Sequence, residues 1–548
     1  MIREVIQAHV EGVAKKLGID MPVILDFPAE LAHGDYSTNI ALTAAKALKL
    51  SPHEVAEKIV KEIGTIEGVT KIEIAGPGFI NFHLAREAFV DVVKGIDERW
   101  GRNDHVKGYK VMVEYTDPNP FKQFHIGHLM SNAIGESISR LVDFSGAEVK
   151  RANYQGDVGP HVAKAIWGIQ KLSLDAHHAA DLGKAYAAGA EAYENDQKAK
   201  EEINIINAKV YDRPDTEINK IYDAGRSASL AHFEELYKVL GTKFDFYFFE
   251  SETAPKGLAI VRAHPTVFEE SDGAVVYKGE KVGLHTRVFI TSRGLPTYEA
   301  KDLGLAEMKA EQWPFDLSIS ITATEQSGYF SVMLAAMKEV LPDIAKKIQH
   351  VSHGMMQLSG GKMSSRTGNV VTGESLIAEM RSQALGKMEG RELGDEKEKI
   401  ADTVAVAAIK YSVLKQATGK NIIFDPEQSL SFEGDSGPYL QYAHTRALSV
   451  LAKAVEKAEA KNPPEQVPEF ERLLPRFPDI VFRAAKENEP HYVTTYLTQL
   501  AGAFNSWYAA EKIIGTEHEE YKLALTKAFA QTMKNGLWLL GIQAPERM

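Results

Sequence analysis

Residues 111–140, VMVEYTDPNPFKQFHIGHLMSNAIGESISR, constrain the fold of this chain more than any other stretch. Val111, Met112 and Val113 form an apolar run ending in Glu114 and Tyr115, the pattern of a strand covered on both faces in a parallel sheet. Pro118 and Pro120 stop it. A helix is then expected from near His125 to about Arg140, because Ile126, Leu129, Ala133, Ile134 and Ile138 make an apolar stripe at helical spacing. Ser145 and Gly146 end it, and 147–152 reads as a second strand. The whole is a βαβ unit of the nucleotide-binding kind without the usual glycine-rich loop.

His125-Ile126-Gly127-His128 stands in that loop's place, at a helix start where unpaired N–H groups and the positive dipole end favour phosphate. Two imidazoles can donate to phosphate oxygens as charge builds in a displacement, and Gly127 lets a flat base lie against the backbone. The four residues alone also fit an ordinary polar helix cap. A zinc site is the poorer reading, since the HExxH glutamate is missing and the chain has no cysteine.

A second stretch, GGKMSSRTGNVV at 360–371, is glycine-flanked, cationic and rich in hydroxyls. Alone it suits a solvated surface loop as well as a clamp closing on polyphosphate. In this order and at this separation, HIGH and a KMS-type loop resemble the two signatures of class I aminoacyl-tRNA synthetases. Three further stretches, 114–128 (EYTDPNPFKQFHIGH), 151–159 (RANYQGDVG) and 437–447 (GPYLQYAHTRA), resemble arginyl-tRNA synthetases. The similarity covers essentially the full length.

Composition bounds this reading without deciding it. At 548 residues the chain should hold three or four domains, each with its own core. It is 44% hydrophobic and 25% charged, with no apolar run long enough to span a membrane, and MIREVIQAHVEGVAKKLG looks like an amphipathic helix, not a signal peptide. A cytoplasmic protein is expected. The lack of cysteine removes disulfides, thiolate zinc sites and cysteine nucleophiles. A net charge of −12 argues against an overall basic RNA binder, yet leaves room for basic tracks on one face.

The expected fold class is α/β: a Rossmann-like parallel-sheet catalytic domain with HIGH and KMS-type motifs, a small N-terminal α/β domain and a C-terminal all-α helical bundle. Residues 1–105 carry helices at 1–17 and 51–63 and strands at 71–75 and 79–84 about the turn Gly76-Pro77-Gly78. Their stretches 33–42 (HGDYSTNIAL) and 76–84 (GPGFINFHL) resemble the added domain of arginyl-tRNA synthetases, which meets the tRNA elbow. The catalytic domain is expected over 106–372, with a connective insertion at about 160–285, largely helical to residue 240 with a strand at 244–248. Strands at 287–290 and 317–321 are expected to resume the sheet. Residues 373–400 connect it, with a helix at 374–388, to an anticodon-binding bundle over 401–548 with helices at 401–417, 439–460, 481–486, 494–514 and 521–540. A chain cut near residue 400 is expected to stay folded.

The resemblance implies an arginine–tRNA ligase that makes arginyl-adenylate from ATP and L-arginine and passes the arginyl group to the 3′-terminal adenosine of tRNA. It implies Mg²⁺ accompanying ATP, and a monomer is expected. His125, Gly127 and His128 would bind ATP from the helix end, and Lys362, Met363, Ser364, Ser365 and Arg366 from the loop. The catalytic groups would be His125, His128, Lys122 and Lys362. The chain departs from the class pattern twice: Ser365 stands where KMSKS has its second lysine, leaving Lys122 or Arg366 to supply that charge, and Met130 stands where the family usually has arginine.

A guanidinium needs acidic, planar acceptors and an aromatic face. Glu114, Asp302 and Tyr298 match the family's arginine pocket, the last two lying four residues apart on one helix face, with Asn119 and Gln326 for the α-amino and carboxylate groups. Gln441, Tyr442 and Arg446 would meet tRNA, and Trp507 and Tyr508 are aromatic enough to stack on anticodon bases, although core packing suits Trp507 equally. Rival readings are a class I synthetase for another amino acid, a HIGH-type nucleotidyltransferase without so large a helical domain, or a non-catalytic RNA-binding relative lacking one motif.

Overall fold

The computed structural model describes residues 2–28, 30–359, 371–389 and 394–548. Its first unit is a four-stranded antiparallel sheet in the order Leu25–Asp26, Tyr36–Thr38, Phe79–Leu84, Val69–Ala75, covered by helices Ile2–Lys16, Ile40–Leu48 and Pro52–Ile63. Ser51 and Glu54 close the third helix with a reciprocal capping box. Arginine–carboxylate pairs join this unit to the C-terminal helices: Arg3 with Asp479, Arg86 with Glu471 at 2.6 Å and Arg472 with Asp35 at 2.8 Å.

The central sheet is built from β1 (Lys110–Glu114), β2 (Glu148–Gln155), β3 (Phe246–Phe249), β4 (Leu317–Ala323) and β5 (Ile348–His353). All are parallel, in the order β5-β4-β1-β2-β3. The chain winds outward from β1 to β3, returns to lay β4 against the other side of β1, and leaves a crevice where the order reverses, outside the carboxyl ends of β1 and β4. Helix α1 (Ile126–Phe144) links β1 to β2. The second strand begins one residue later than expected and runs three residues further.

One expected strand does not join this sheet. Arg287–Ile290 pairs antiparallel with Ala274–Tyr277, which pairs with Glu269–Ser271 in a separate three-stranded sheet. The cause is local: Asp272 and Gly273, at φ 48° and 75°, make the tight left-handed turn that an Asp-Gly pair favours, and the resulting hairpin captures the next strand. The strand expected near 244–248 does join the central sheet as β3, so the helices Pro160–Leu172, Ala179–Asn195, Gln197–Asp212 and Thr216–Leu240 stand between two of its strands.

After β3 come α2 (Glu250–Ala263), α3 (Tyr298–Gln312) and α4 (Ser327–Val340), then the C-terminal helices α5 (Lys397–Leu414), α6 (Gly437–Lys453), α7 (His491–Ala510) and α8 (Glu519–Leu539). The hydrophobic core does not break near residue 400. Val113 and Ile134 of the sheet layer belong to one continuous apolar cluster with Ala405, Leu497, Phe529 and Leu537. A cut near 400 would therefore open this core, contrary to the expectation that the chain would stay folded.

Helix α1 is the centre of that cluster, with sixteen of its nineteen residues buried. Gly135 lets the Tyr115 ring lie on the helix: a Cβ there would stand 2.2 Å from Tyr115 Cγ. On the next residue, the buried Glu136 carboxylate accepts from Tyr115 Oη at 2.6 Å, Arg140 Nε at 2.6 Å, and Arg151 Nε and Nη2 at 3.1 and 3.2 Å. Burial alone would raise this carboxyl, but Arg140, Arg151 and Lys410 outweigh it and hold it below the usual range. Its stabilising contribution is thus full above the unfolded pKa of about 4.3 and is lost as pH falls through the lower folded value. Glu136→Gln should lower stability by ~3 kcal/mol at neutral pH, because two arginines lose their buried counter-charge. Urea unfolding measures this, and an unshifted midpoint would show that the cluster contributes nothing.

Candidate active site

Between β1 and α1 the chain crosses the crevice in a strained loop. Thr116, Asp117 and Phe121 have φ of 78°, 46° and 68°, conformations that cost non-glycine residues of order 1–3 kcal/mol each. Surrounding groups hold them there. Thr116 N–H donates to Ser131 Oγ at 2.9 Å, Asn132 Nδ2 donates to Thr116 Oγ1 at 3.0 Å, and Tyr154 N–H donates to Asp117 Oδ1 at 2.7 Å. Phe121 is buried in the core of the inserted helices, beside Tyr222, and its N–H donates to Ser229 Oγ at 2.9 Å.

The two histidines cap their own helix. His125 Nδ1 accepts from Gly127 N–H and His128 Nδ1 accepts from His125 N–H, both at 3.1 Å, with the rings stacked 3.6 Å apart. A Cβ on Gly127 would approach the His125 ring to 2.9 Å. With both Nδ1 atoms accepting, each neutral ring carries its proton on Nε2. Desolvation and Lys122 push His125 down to about 4, while desolvation, His125 and Lys122 push His128 well below its ordinary value. At neutral pH the helix start therefore presents uncharged Nε2–H donors.

Lys122 lies against the inserted helices, its Nζ 5.2 Å from the Tyr186 ring centre, and desolvation and Lys164 lower its pKa. The chain that follows the KMS-type stretch is tied to the same spot: Thr372 bridges to His125, and Gly373 N–H donates to Phe124 O at 2.7 Å. Lys362, Met363, Ser364, Ser365 and Arg366 lie outside the described residues.

The crevice next to the histidines is acidic. Glu114, at the end of β1, is 4% exposed and ion-paired with buried Lys309 of α3. Asp302, two turns earlier on α3, accepts from Tyr329 Oη at 3.0 Å. Burial and then the Glu114 charge raise the carboxyls of both Asp302 and Asp117 well above the usual range. Tyr298, one turn before Asp302, is 60% exposed with its ring 5.3 Å from Lys301 Nζ, and Lys301 pairs with Glu250 at 2.6 Å. Asn119 lies against Gly156 so closely that a Cβ there would stand 2.2 Å from its Oδ1. Gln326 is exposed on the turn after β4.

Sequence reasoning missed Asp117, Lys309, Tyr329 and the Glu250–Lys301 pair. A signal existed for Lys309, seven residues after Asp302 and so on the same helix face. Tyr329 comes from another helix and left none.

Known proteins match the whole length of the chain. The family model for tRNA synthetases class I (R), catalytic domain, matches residues 96–426, that for the DALR anticodon binding domain matches 440–548, and that for the arginyl tRNA synthetase N-terminal domain matches 1–84. The chain belongs to the arginyl-tRNA synthetase family. The arginine–tRNA ligase of Lactococcus lactis subsp. lactis is 32% identical, covering 100% of this chain and 99% of that one. That of Treponema pallidum is 30% identical over 96% and 95%. The Thermus thermophilus arginyl-tRNA synthetase structure superposes with a TM-score of 0.82 at 26% identity, covering 100% of both chains. The activity is that of an arginine–tRNA ligase, a class I synthetase.

In this synthetase Met130, where the family resemblance led us to expect arginine, is fully buried in the core around α1. In the DALR domain the expected tRNA residues divide. Gln441 is buried, its Nε2 donating to Gln543 O at 2.8 Å, so it holds the C-terminal segment and is not at the surface. Trp507 packs on Phe470 and Phe504. Tyr442 and Tyr508 flank the Arg446 guanidinium at 4.7 and 5.2 Å and line a groove of about 870 Å³ with Lys453, Lys512 and Arg547.

The histidine geometry makes a pH prediction. Because folding lowers both pKa values, the rings should stay neutral as the synthetase is acidified from pH 8 to about 5.5. Imidazole proton resonances followed by NMR should stay still over that range, and a titration of either ring near pH 6.5 would contradict the geometry.

Proposed function

We propose that this synthetase activates L-arginine in the crevice between β1 and β4, with its cationic side chain against Glu114, Asp302 and Tyr298 and its α-amino and carboxylate groups near Asn119 and Gln326. The observation that carries this reading is a crevice where buried carboxylates outnumber their lysine partner, set beside a helix start bearing two neutral Nε2–H donors. An arginine α-carboxylate oxygen bonds to the α-phosphorus of ATP as the bond to the β-phosphate bridge breaks, giving arginyl-adenylate and pyrophosphate. A hydroxyl of the terminal tRNA ribose then attacks the acyl carbon, and AMP leaves.

Covalent help is not required for the first step. Alignment of the carboxylate and neutralisation of phosphate charge supply most of the rate. His125 and His128 donate to phosphate oxygens, Gly127 leaves room for the base, and Lys122, close enough to lower both histidines' pKa values, brings positive charge. Lys362 with Met363, Ser364, Ser365 and Arg366 would serve the leaving group, an assignment that rests on sequence alone. Mg²⁺ would arrive with ATP and supply charge neutralisation. That ion would be held largely by phosphates and water.

Tyr442, Arg446 and Tyr508 would stack on or pair with anticodon nucleotides in the C-terminal groove. We read the enzyme as a monomer. No described helix is long and apolar enough to cross a membrane, and we place the enzyme in the cytoplasm.

If the histidines meet charge that appears only in the transition state, His125→Ala or His128→Ala should slow adenylation by on the order of 10² to 10³, with little change in the KM for ATP. Pyrophosphate exchange measures both constants. A raised KM with unchanged turnover would remove the role.

Charging of total tRNA with each amino acid in turn tests the substrate. Citrulline, a neutral urea of the same shape, should be worse than arginine by on the order of 10² to 10³. Asp302→Asn should narrow that ratio chiefly by harming arginine. An unchanged ratio would take Asp302 out of the pocket, and preference for another amino acid would sink the arginine reading.

A further inference from the structure

Asp117 has no place in the reading above, yet its surroundings give it one. It sits three residues past Glu114, in the strained loop, and is only partly buried where Glu114 and Asp302 are 4% and 8% exposed. One carboxylate oxygen is engaged: Oδ1 takes the Tyr154 N–H at the carboxyl end of β2, replacing the backbone acceptor that a continuing β1 would have offered. That contact is structural and needs no charge.

The charge itself has no local explanation. The ionisable groups facing Asp117 are Glu114 from β1, Lys309 and Asp302 from α3, and Tyr237 from the helix Thr216–Leu240. Three carboxylates thus share one lysine, which is already paired with Glu114. Charges crowded this way repel one another in a desolvated crevice, and a cation that joined them would relieve the repulsion. Burial and Glu114 accordingly raise the Asp117 carboxyl. Arginine would bring two positive groups, its guanidinium and its α-ammonium, against the two carboxylates that Lys309 leaves uncompensated.

Resting on the proposed arginine site, we propose that Asp117 is a third, specificity-determining carboxylate of that pocket, sharing the positive charge of arginine with Glu114 and Asp302. Bound arginine favours the ionised form of this carboxyl, so its binding should be linked to proton release and should strengthen as pH rises.

The test uses Asp117→Asn and Asp117→Ser in the full-length enzyme. Both keep an oxygen to accept the Tyr154 N–H while removing the charge. The KM for arginine in charging should rise on the order of 10- to 100-fold in both, the loss expected for a charge-assisted contact, with kcat within about 3-fold of wild type. Calorimetric titration with arginine, in two buffers of different ionisation enthalpy, should show fewer protons released than in wild type. A wild-type KM in both variants, a fall in kcat alone, or an unchanged proton count would overturn the role of Asp117. Those results would leave the arginine site standing, whereas a wild-type enzyme that does not charge tRNA with arginine would remove the site itself.

Discussion

Much of this architecture depends on one buried carboxylate. Glu136 lies mid-way along α1, where a lone charge would be expelled, and it persists because Arg140, Arg151 and the Tyr115 hydroxyl converge on it. Its partners reach outward in turn. Arg140 donates to Trp538 O and Gly241 O, and Ser137 Oγ donates to Leu539 O. Lys410, fully buried on α5 and pushed down to about 7 by desolvation and Arg140, donates to Leu240 O and Gly541 O. Carbonyls at the C-terminal ends of an inserted helix and of α8 thus meet cations attached to α1 and α5, as helix dipoles favour. The helix that begins with the two stacked histidines is clamped at its other end by both other helical parts of the enzyme.

The same helix organises the crevice electrostatically. Its N-terminus presents donors for anions, while the strand end beside it gathers carboxylates for a cation. The substrate pair proposed above, a polyphosphate and a guanidinium amino acid, would satisfy both. Neither feature is comfortable without ligand: loop residues sit at positive φ, and carboxyls are raised by burial and mutual repulsion. Ser131 and Asn132 of α1 hold the loop, so the rigidity of the helix is what lets the site keep this strain.

At the periphery, the pairs Arg3–Asp479, Arg86–Glu471 and Arg472–Asp35 fasten the N-terminal unit to the C-terminal helices and not to the sheet. The two parts for which tRNA contact is expected are therefore joined to each other. Arg86 and Tyr521 share the buried Glu471, so this contact reaches α8, which in turn touches α1.

What the sequence determined by itself was local. Val111 to Glu114 could only be a covered strand, and HIGH at the head of an apolar helical stripe could only be a helix start, because backbone periodicity and capping act within a few residues. The family resemblance added the expectation of an arginine pocket at Glu114, Tyr298 and Asp302. Tertiary structure decided whatever depends on charges and strands distant in the chain. It sent 287–290 to a hairpin instead of the sheet, and merged the C-terminal helices into the catalytic core. It buried Gln441 behind the C-terminal segment and set Lys309 against Glu114. These outcomes turn on burial and pairing energies between residues far apart in the chain, 195 positions for Glu114 and Lys309 and 402 for Ser137 and Leu539, which no local pattern encodes.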